Sequence, residues 1–235
     1  MTKKILITGA NGQLGHEMRN ALKGNNRFEC IFTDVAELDI CNTEAVKQTM
    51  ANNHIDYIVN CAAYTQVDKA EDNAELCKKI NTDAVENLAR AAADYGARMI
   101  HISTDYVFNG RGYRPYTEDM VPDPQSVYGS TKLEGEKILT DICPESIIIR
   151  TAWLYSPYGN NFVKTMLHLG EEREELSVVA DQIGTPTCAA DLAQAILVIL
   201  QADTFVPGTY HFSDEGVCSW YCLLYTSDAA DERSS

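Results

Sequence analysis

The stretch KILITGANGQLG, residues 4–15, decides the fold of this chain. Its first five residues predict a buried strand, and Gly12–Lys23 predicts the helix that follows. Gly9, Gly12 and Gly15 have the spacing GxxGxxG at this junction. Glycines allow a tight turn and a close approach of the backbone to a pyrophosphate, and the start of the helix adds free N–H groups. The stretch therefore predicts a dinucleotide site at the first strand of an α/β sheet.

The alternation of apolar runs and helical patterns continues to residue 151. Short β-branched runs predict strands, and longer amphipathic stretches predict the helices between them. The predicted strands are Lys4–Thr8, Phe28–Thr33, Tyr57–Asn60, Met99–Ser103 and Ser146–Thr151. The further predicted helices are Thr43–Asn53 with Thr43 as its cap, Ala74–Tyr95 ended by Gly96, and Tyr128–Asp141. This order favours a doubly wound parallel α/β fold, with a Rossmann-like dinucleotide-binding domain over residues 1–151.

The pattern becomes looser over residues 152–221. We expect a smaller substrate-binding part that is interleaved with the sheet and packs over its carboxyl edge. Its predicted elements are a helix at Asn161–Arg173, a strand at Leu176–Val179, a turn at Gly184–Pro186, a helix at Ala189–Gln201 and a strand at Gly208–Phe212. Residues 222–235, CLLYTSDAADERSS, fit neither a helix nor a strand, and we expect a non-native or disordered tail in place of a missing C-terminal region.

Composition limits the classes of function. The chain has 235 residues, 45% of them hydrophobic, and a formal net charge of −15. Such an acidic chain with no basic stripe makes nucleic-acid binding a poor expectation. No apolar run approaches the roughly 20 residues of a membrane span, and the eight cysteines form no CxxC pair that would indicate zinc. We expect a soluble, cytoplasmic protein with free thiols, no metal ligands and no membrane partner.

Tyr128 and Lys132 are candidates for acid–base chemistry. Four residues apart on a helix, their side chains share one face. An ammonium near a phenol lowers the pKa of the phenol, so the pair suits proton donation to a carbonyl that receives a hydride. Thr104 ends the fourth predicted strand, where doubly wound sheets bind ligands, and its hydroxyl can orient that carbonyl, with Ser103 as the competing candidate.

Together these residues resemble the extended short-chain dehydrogenase/reductases that act on nucleotide sugars. Within them, several segments are similar to the dTDP-4-dehydrorhamnose reductases over residues 4–221. The segments are NCAAYTQVDKAE (60–71), STDYVFNG (103–110), VYGSTKLEGE (127–136), RTAWLYSPYGNNFVKTM (150–166) and DQIGTPT (181–187). After residue 221 the resemblance stops, where members of the family continue with a helical C-terminal region.

The resemblance implies the last step of dTDP-rhamnose biosynthesis, a carbohydrate pathway that serves lipopolysaccharide. NADPH or NADH would deliver a hydride to C4 of dTDP-4-dehydro-L-rhamnose, Tyr128 would protonate the alkoxide, Lys132 would lower the pKa of Tyr128, and Thr104 would orient the carbonyl. The cofactor would contact Gly9, Asn11, Gly12, Gln13, Leu14, Gly15, Asp34, Asp39, Ile40, Ala62, Ala63, Tyr64, Thr65, Tyr128 and Lys132. The sugar nucleotide would contact Val67, Thr104, Asp105, Tyr106, Tyr128, Trp153 and Asn161.

Some alternatives stay open. Asp34 after the second strand favours the free 2′-hydroxyl of NAD, but it could equally be a solvated loop charge, so the choice between NADH and NADPH is not decided. Asn161 could cap a helix instead of binding the nucleotide. Relatives are described as pairing through Mg²⁺ at a dimer interface, so a homodimer is possible, although no metal ligands can be assigned here.

Two other functions compete with reduction. The first is a nucleotide-sugar dehydratase or epimerase of the same fold. Dehydratases of the family carry Asp-Glu directly after the active threonine, whereas here Thr104 is followed by Asp105 and Tyr106. The second is a non-catalytic regulatory subunit that only binds nucleotides. The presence of Thr104, Tyr128 and Lys132 weighs against it, since a pure binder needs no proton donor.

Overall fold

A six-stranded parallel sheet forms the centre of the protein. The structure is a computed structural model that describes residues 2–173 and 175–224. The strands, in chain order, are β1 (Lys3–Thr8), β2 (Phe28–Thr33), β3 (Tyr57–Asn60), β4 (Arg98–Thr104), β5 (Ile147–Thr151), β6 (Leu154–Tyr155), β7 (Ile183–Gly184), β8 (Thr187–Cys188), β9 (Gly208–His211) and β10 (Cys218–Ser219). The central sheet has the order β2-β1-β3-β4-β5-β9, and every neighbouring pair in it is parallel. This confirms the predicted doubly wound α/β fold.

Helices cover both faces of the sheet. They are α1 (Gln13–Ala21), α2 (Thr43–Asn53), α3 (Val67–Asp72), α4 (Ala74–Lys78), α5 (Ala84–Tyr95), α6 (Val127–Ile142), α7 (Phe162–Glu172) and α8 (Ala189–Gln201). On one face α1 packs against α8, and on the other α5 packs against α2 and α6. The inner strands therefore bury side chains on both of their faces, and Ile5, Leu6 and Ile7 of β1 are completely inaccessible to solvent.

Three local predictions were wrong. Asn42, rather than Thr43, caps α2, because its side-chain oxygen accepts the N–H of Ala45 at 3.1 Å. The helix predicted at Ala74–Tyr95 is divided into α4 and α5 by a π-helical turn, Lys79–Asp83. The segment Leu176–Val179 forms no strand, since no neighbouring segment pairs with it.

The second part of the chain shares the central sheet. β9 extends the sheet beside β5, and α8 belongs to the helix layer of α1. Two small sheets, β6 with β8 and β7 with β10, hold the remaining loops together. Residues 220–224 are helical, and the Ser219 hydroxyl accepts the N–H of Cys222 at 3.1 Å, so the expectation of an irregular tail was wrong for residues 222–224. The rest of that tail lies outside the described residues.

None of the helices in the described ranges combines the length and the apolar character that a membrane span requires.

Candidate active site

The glycine loop between β1 and α1 brings three backbone segments close together. Gly9 has a left-handed φ of +64°, and a Cβ atom there would lie 2.6 Å from the backbone nitrogen of Ala62. A Cβ at Gly15 would collide with the carbonyl oxygen of Gly9. Gly12 is the N-cap residue of α1, with extended backbone. The loop is thus a cradle that only glycines can form, and the residues present fit a dinucleotide pyrophosphate.

A cavity of about 400 Å³ opens at this edge of the sheet. Its lining includes the predicted cofactor residues Gly9, Gly12, Asp34, Asp39, Ile40 and Ala63. Leu76 of α4 and Lys79 and Ile80 of the π-helical turn also line it, and none of the three was predicted. A second cavity of about 540 Å³, lined by Thr2 and Arg27 among others, contains none of the predicted residues.

Two other predicted cofactor residues, and the predicted sugar-nucleotide residue Asn161, have mainly structural contacts. Asp34 accepts the N–H of Asn11 at 3.0 Å, which ties the glycine loop to the end of β2. Leu14 is buried in the hydrophobic core, so its side chain does not face the cavity. Asn161 caps α7 through the N–H of Lys164, and its side-chain N–H donates to Gln13 at 2.9 Å. Asn161 therefore caps a helix, as one of its two predicted roles requires. Its contact with Gln13 also places it beside the glycine loop.

The loop Ala62–Thr65 is held by a residue that sequence analysis did not select. Asn81, in the π-helical turn, accepts the N–H of Tyr64 at 2.8 Å and donates to the carbonyl of Tyr64 at 3.1 Å. Asn81 is buried and lies within the widened helical turn, so the two bonds fix the loop to that turn. In the sequence, the only indication of this role was the presence of an asparagine within a predicted helix that is rich in alanine.

Thr104 and Tyr128 meet at the carboxyl end of β4. The phenol of Tyr128 lies close enough to Thr104 for that residue to stabilise its deprotonated form, and the Thr104 hydroxyl donates to a carboxylate oxygen of Asp105 at 3.1 Å. Ser126 caps α6 and so fixes the first turn that carries Tyr128. The ring of Tyr106 contacts the ring of Tyr128 edge-on, with centroids 5.5 Å apart. The structure thus brings the predicted residues Thr104, Asp105 and Tyr106 together around the phenol of Tyr128, which was also predicted.

Burial controls the protonation of this centre. It raises the pKa of Tyr128 above the ordinary value for a phenol, and stabilisation of the phenolate by Thr104 opposes only part of that shift. Burial lowers the pKa of Lys132 to about 8. The Lys132 amino group donates to the Ile102 carbonyl at 2.6 Å and lies 3.3 Å from the ring of His101. The Lys132 amino group thus contacts β4 in this structure, and its effect on the pKa of Tyr128 stays a prediction.

Asp105 is a buried carboxyl group beside the phenol. Burial raises its pKa to about 6, although the Thr104 hydroxyl and two backbone N–H groups stabilise the carboxylate. Folding therefore favours the protonated form, and the stability that protonation contributes is lost as the pH rises from about 4 to 6.

Asp105→Asn should remove this pH dependence. The variant keeps an oxygen that can accept from Thr104, but it has no charge to desolvate. We expect it to be more stable than the wild type at pH 7.5 by on the order of 2 to 3 kcal/mol, and we expect the difference to shrink towards pH 4. Urea unfolding at both pH values measures this. The matched variant Asp119→Asn should show the opposite sign, because a hydrogen bond from Thr117 lowers the pKa of Asp119. An equal change in the free energy of unfolding for both variants would contradict the raised pKa assigned to Asp105.

The predicted sugar residues lie in two places. Val67, together with the predicted cofactor residue Tyr64, packs against the cluster that contains Tyr128. Trp153 has a positive φ of +47°, which is unusual for a residue other than glycine, and its ring stacks on Trp220 with centroids 3.5 Å apart. Gly184 leaves the space for this ring, since a Cβ there would collide with it. Trp220 was not predicted, because its pairing with Trp153 depends on the tertiary fold.

In residues 2–173 and 175–224, no group of three or more His, Cys, Asp or Glu side chains is placed to hold a metal ion.

Comparison with known proteins gives consistent matches. The family model described as the RmlD substrate binding domain matches residues 3–226. A dTDP-4-dehydrorhamnose reductase of Aggregatibacter actinomycetemcomitans is 43% identical over 93% of this chain and 76% of its own length. The crystal structure of a dTDP-4-dehydrorhamnose reductase from Clostridium acetobutylicum is 50% identical, with a TM-score of 0.90 over 94% of this chain and 78% of that chain. The Bacillus anthracis dTDP-4-dehydrorhamnose reductase, solved in complex with NADP, is 42% identical, with a TM-score of 0.94 over 99% of this chain and 82% of that chain.

Proposed function

This chain belongs to the family of the RmlD substrate binding domain, and on that premise we propose the reaction that it performs and the residues that perform it. It is an NAD(P)H-dependent oxidoreductase that reduces the C4 ketone of dTDP-4-dehydro-L-rhamnose to give dTDP-L-rhamnose. The substrate is a small-molecule nucleotide sugar. Relatives of this chain carry the same activity in their names, and the structure of one of them was solved in complex with NADP.

The glycine loop, the Ala62–Thr65 loop and the carboxyl ends of β1 and β2 would hold the cofactor. Gly9, Gly12 and Gly15 would admit its pyrophosphate, and Asp34 lies where the adenosine ribose is bound in folds of this kind. When bound, the reduced nicotinamide supplies the hydride for C4 of the sugar.

Tyr128 is the proposed proton donor. As the C4 oxygen gains negative charge, the phenol gives it a proton, and the Thr104 hydroxyl orients that oxygen by a hydrogen bond. Lys132, one helical turn away on the same face of α6, is the proposed source of the proton that restores the phenol. The observation that supports this proposal is the nearness of the Tyr128 phenol to Thr104, the last residue of β4, at the edge of the sheet where such folds bind ligands.

Product analysis tests the proposed reaction against its competitors. The full chain is incubated with dTDP-4-dehydro-L-rhamnose and NADPH, and the nucleotide sugars are separated and identified by NMR. We expect dTDP-L-rhamnose, with one NADP⁺ formed for each product molecule. A new nucleotide sugar without net oxidation of the cofactor would instead indicate an epimerase or a dehydratase. Cofactor binding without any product would indicate a nucleotide-binding subunit.

Asp34→Asn should increase the use of NADPH relative to NADH. A carboxylate repels the 2′-phosphate that distinguishes NADPH, whereas the asparagine oxygen can still accept the N–H of Asn11 and keep the loop in place. We expect the ratio of kcat/KM for NADPH to that for NADH to rise about tenfold, which corresponds to roughly 1.4 kcal/mol. Steady-state kinetics with both cofactors measures the ratio. An unchanged ratio would show that Asp34 only holds the glycine loop in place and does not select the cofactor.

Three finer proposals accompany the reaction. We propose a division into a dinucleotide-binding part, residues 1–151, and a substrate-binding part, residues 152–221. We also propose a cytoplasmic location, supported by the absence of any disulfide among the described residues, and a homodimer. Cell fractionation tests the location, and light scattering of the purified protein, which gives the mass of one chain or of two, tests the dimer.

A further inference from the structure

A row of buried polar side chains runs beneath the candidate active site from β1 to α6. The Thr8 hydroxyl donates to the side-chain oxygen of Asn60 at 2.7 Å. The amide nitrogen of Asn60 lies 3.0 Å from Nδ1 of His101, and Nε2 of His101 lies 3.3 Å from the amino nitrogen of Lys132. The four residues are almost completely buried, so each polar atom depends on its neighbour in the row.

The orientation of the Asn60 amide is fixed by its other neighbours. Its oxygen accepts both the hydroxyl of Thr8 and, at 3.1 Å, the backbone N–H of Ala62. A reversed amide would place an NH₂ group against the N–H of Ala62, and neither group could then be satisfied. The NH₂ group of Asn60 must therefore face His101, and Nδ1 of His101 must accept from it.

This orientation determines which ring nitrogen of His101 carries the proton. Burial and the nearby Lys132 charge hold the pKa of His101 well below its ordinary value, so the ring is neutral and has one N–H. Because Nδ1 accepts from Asn60, the hydrogen is on Nε2, the atom that faces Lys132. We propose that His101 is a positioning residue for Lys132: its Nε2–H donates to the amino nitrogen, which favours the neutral amine over the ammonium.

The inference deepens the proposed function and rests on it, since it concerns how Lys132 supports Tyr128. When the Tyr128 phenol has given its proton to the sugar oxygen, an ammonium proton from Lys132 can restore the phenol. Lys132 is then left as a neutral amine, which regains its proton from the solution, so that one solvent proton is consumed for each ketone reduced. The charged and titratable groups that face Lys132 are His101, Glu136 and Cys77, and the last two favour the ammonium. The Nε2–H of His101 instead favours the neutral amine, so it makes the release of the proton from Lys132 easier.

The tautomer can be observed directly by ¹⁵N NMR of the full-length protein labelled at histidine. The His101 signals are assigned by their loss in His101→Gln. We expect a ring that does not titrate between pH 5.5 and 9, with hydrogen on Nε2 and none on Nδ1. A ring with hydrogen on Nδ1, or one that titrates in this range, would overturn the inference. This measurement needs no variant other than the one used for assignment.

Asn60→Asp should reverse the tautomer. One carboxylate oxygen keeps the bonds from Thr8 and Ala62, and the other can only accept, so His101 must present a hydrogen on Nδ1. Its Nε2 lone pair then faces the ammonium of Lys132. We expect the titration midpoint of Lys132, followed by ¹³C NMR of lysine-labelled protein, to rise by about one pH unit or more. In the matched control Thr8→Val, which also removes a buried bond to Asn60, the tautomer should stay the same. A reversed tautomer in the control would count against the argument.

Reductase turnover in the same wild-type sample separates the two proposals. Active protein with hydrogen on Nδ1 would overturn the role of His101 alone. Protein with hydrogen on Nε2 that binds NADPH but forms no dTDP-L-rhamnose would overturn the proposed function.

Discussion

Tyr128→Phe lowers kcat for the reduction of dTDP-4-dehydro-L-rhamnose by about 10² to 10⁴-fold, the usual contribution of a positioned proton donor. The phenol is buried and burial raises its pKa, so at neutral pH it carries the proton that the C4 oxygen needs. Phenylalanine keeps the ring that packs in the cluster with Ala70 and Cys77. The loss should therefore appear in kcat, with the fold and cofactor binding retained.

Tyr57→Phe is the matched control for this variant. Tyr57 is also buried, and its hydroxyl accepts a hydrogen bond from Lys3 at 2.8 Å, at the other end of the sheet. Stopped-flow absorbance of NADPH and circular dichroism measure both variants. We expect a normal rate for Tyr57→Phe, and an unchanged rate for Tyr128→Phe would exclude the phenol as the donor.

Arg150→Met should lower the free energy of unfolding by about 3 to 5 kcal/mol, because it leaves a buried carboxylate without its partner. Arg150 of β5 holds Glu136 of α6 through three contacts of 2.7, 3.0 and 3.2 Å, and both side chains are buried. The pair ties the helix that carries Tyr128 and Lys132 to the central sheet. Urea unfolding at neutral pH measures the loss.

The double variant Glu136→Leu with Arg150→Met tests the cause of this loss. With both charges removed, no carboxylate remains to be desolvated, so most of the lost stability should return. If the double variant is as unstable as Arg150→Met, the effect comes from packing rather than from the unpaired charge.

The regular elements were largely predictable from the sequence. β2, β3, α2 and α8 begin and end where their apolar patterns predict. The errors arose where a local signal competed with a tertiary one. Asn42 and Thr43 are adjacent capping residues of similar strength, and only the fold shows that Thr43 instead bonds to Asn87.

The site was predictable only in part, for a physical reason. The glycine loop, Thr104 and Tyr128 follow from chain order, because the carboxyl ends of parallel strands converge at one edge. The protonation state of a side chain does not follow from chain order, since it depends on burial and on partners from distant elements. The raised pKa of Asp105 and the direction of the Lys132 side chain could therefore be read only from the structure.

Transfer of deuterium from NADPH labelled at C4 of its nicotinamide tests the central claim most directly. The wild-type chain is given the cofactor labelled on each face in turn, together with dTDP-4-dehydro-L-rhamnose, and the product is examined by NMR. We predict dTDP-L-rhamnose with one deuterium at C4 of the sugar from one labelled face and none from the other. A reduced product without deuterium from either face, or with deuterium at another carbon, would contradict hydride transfer to C4.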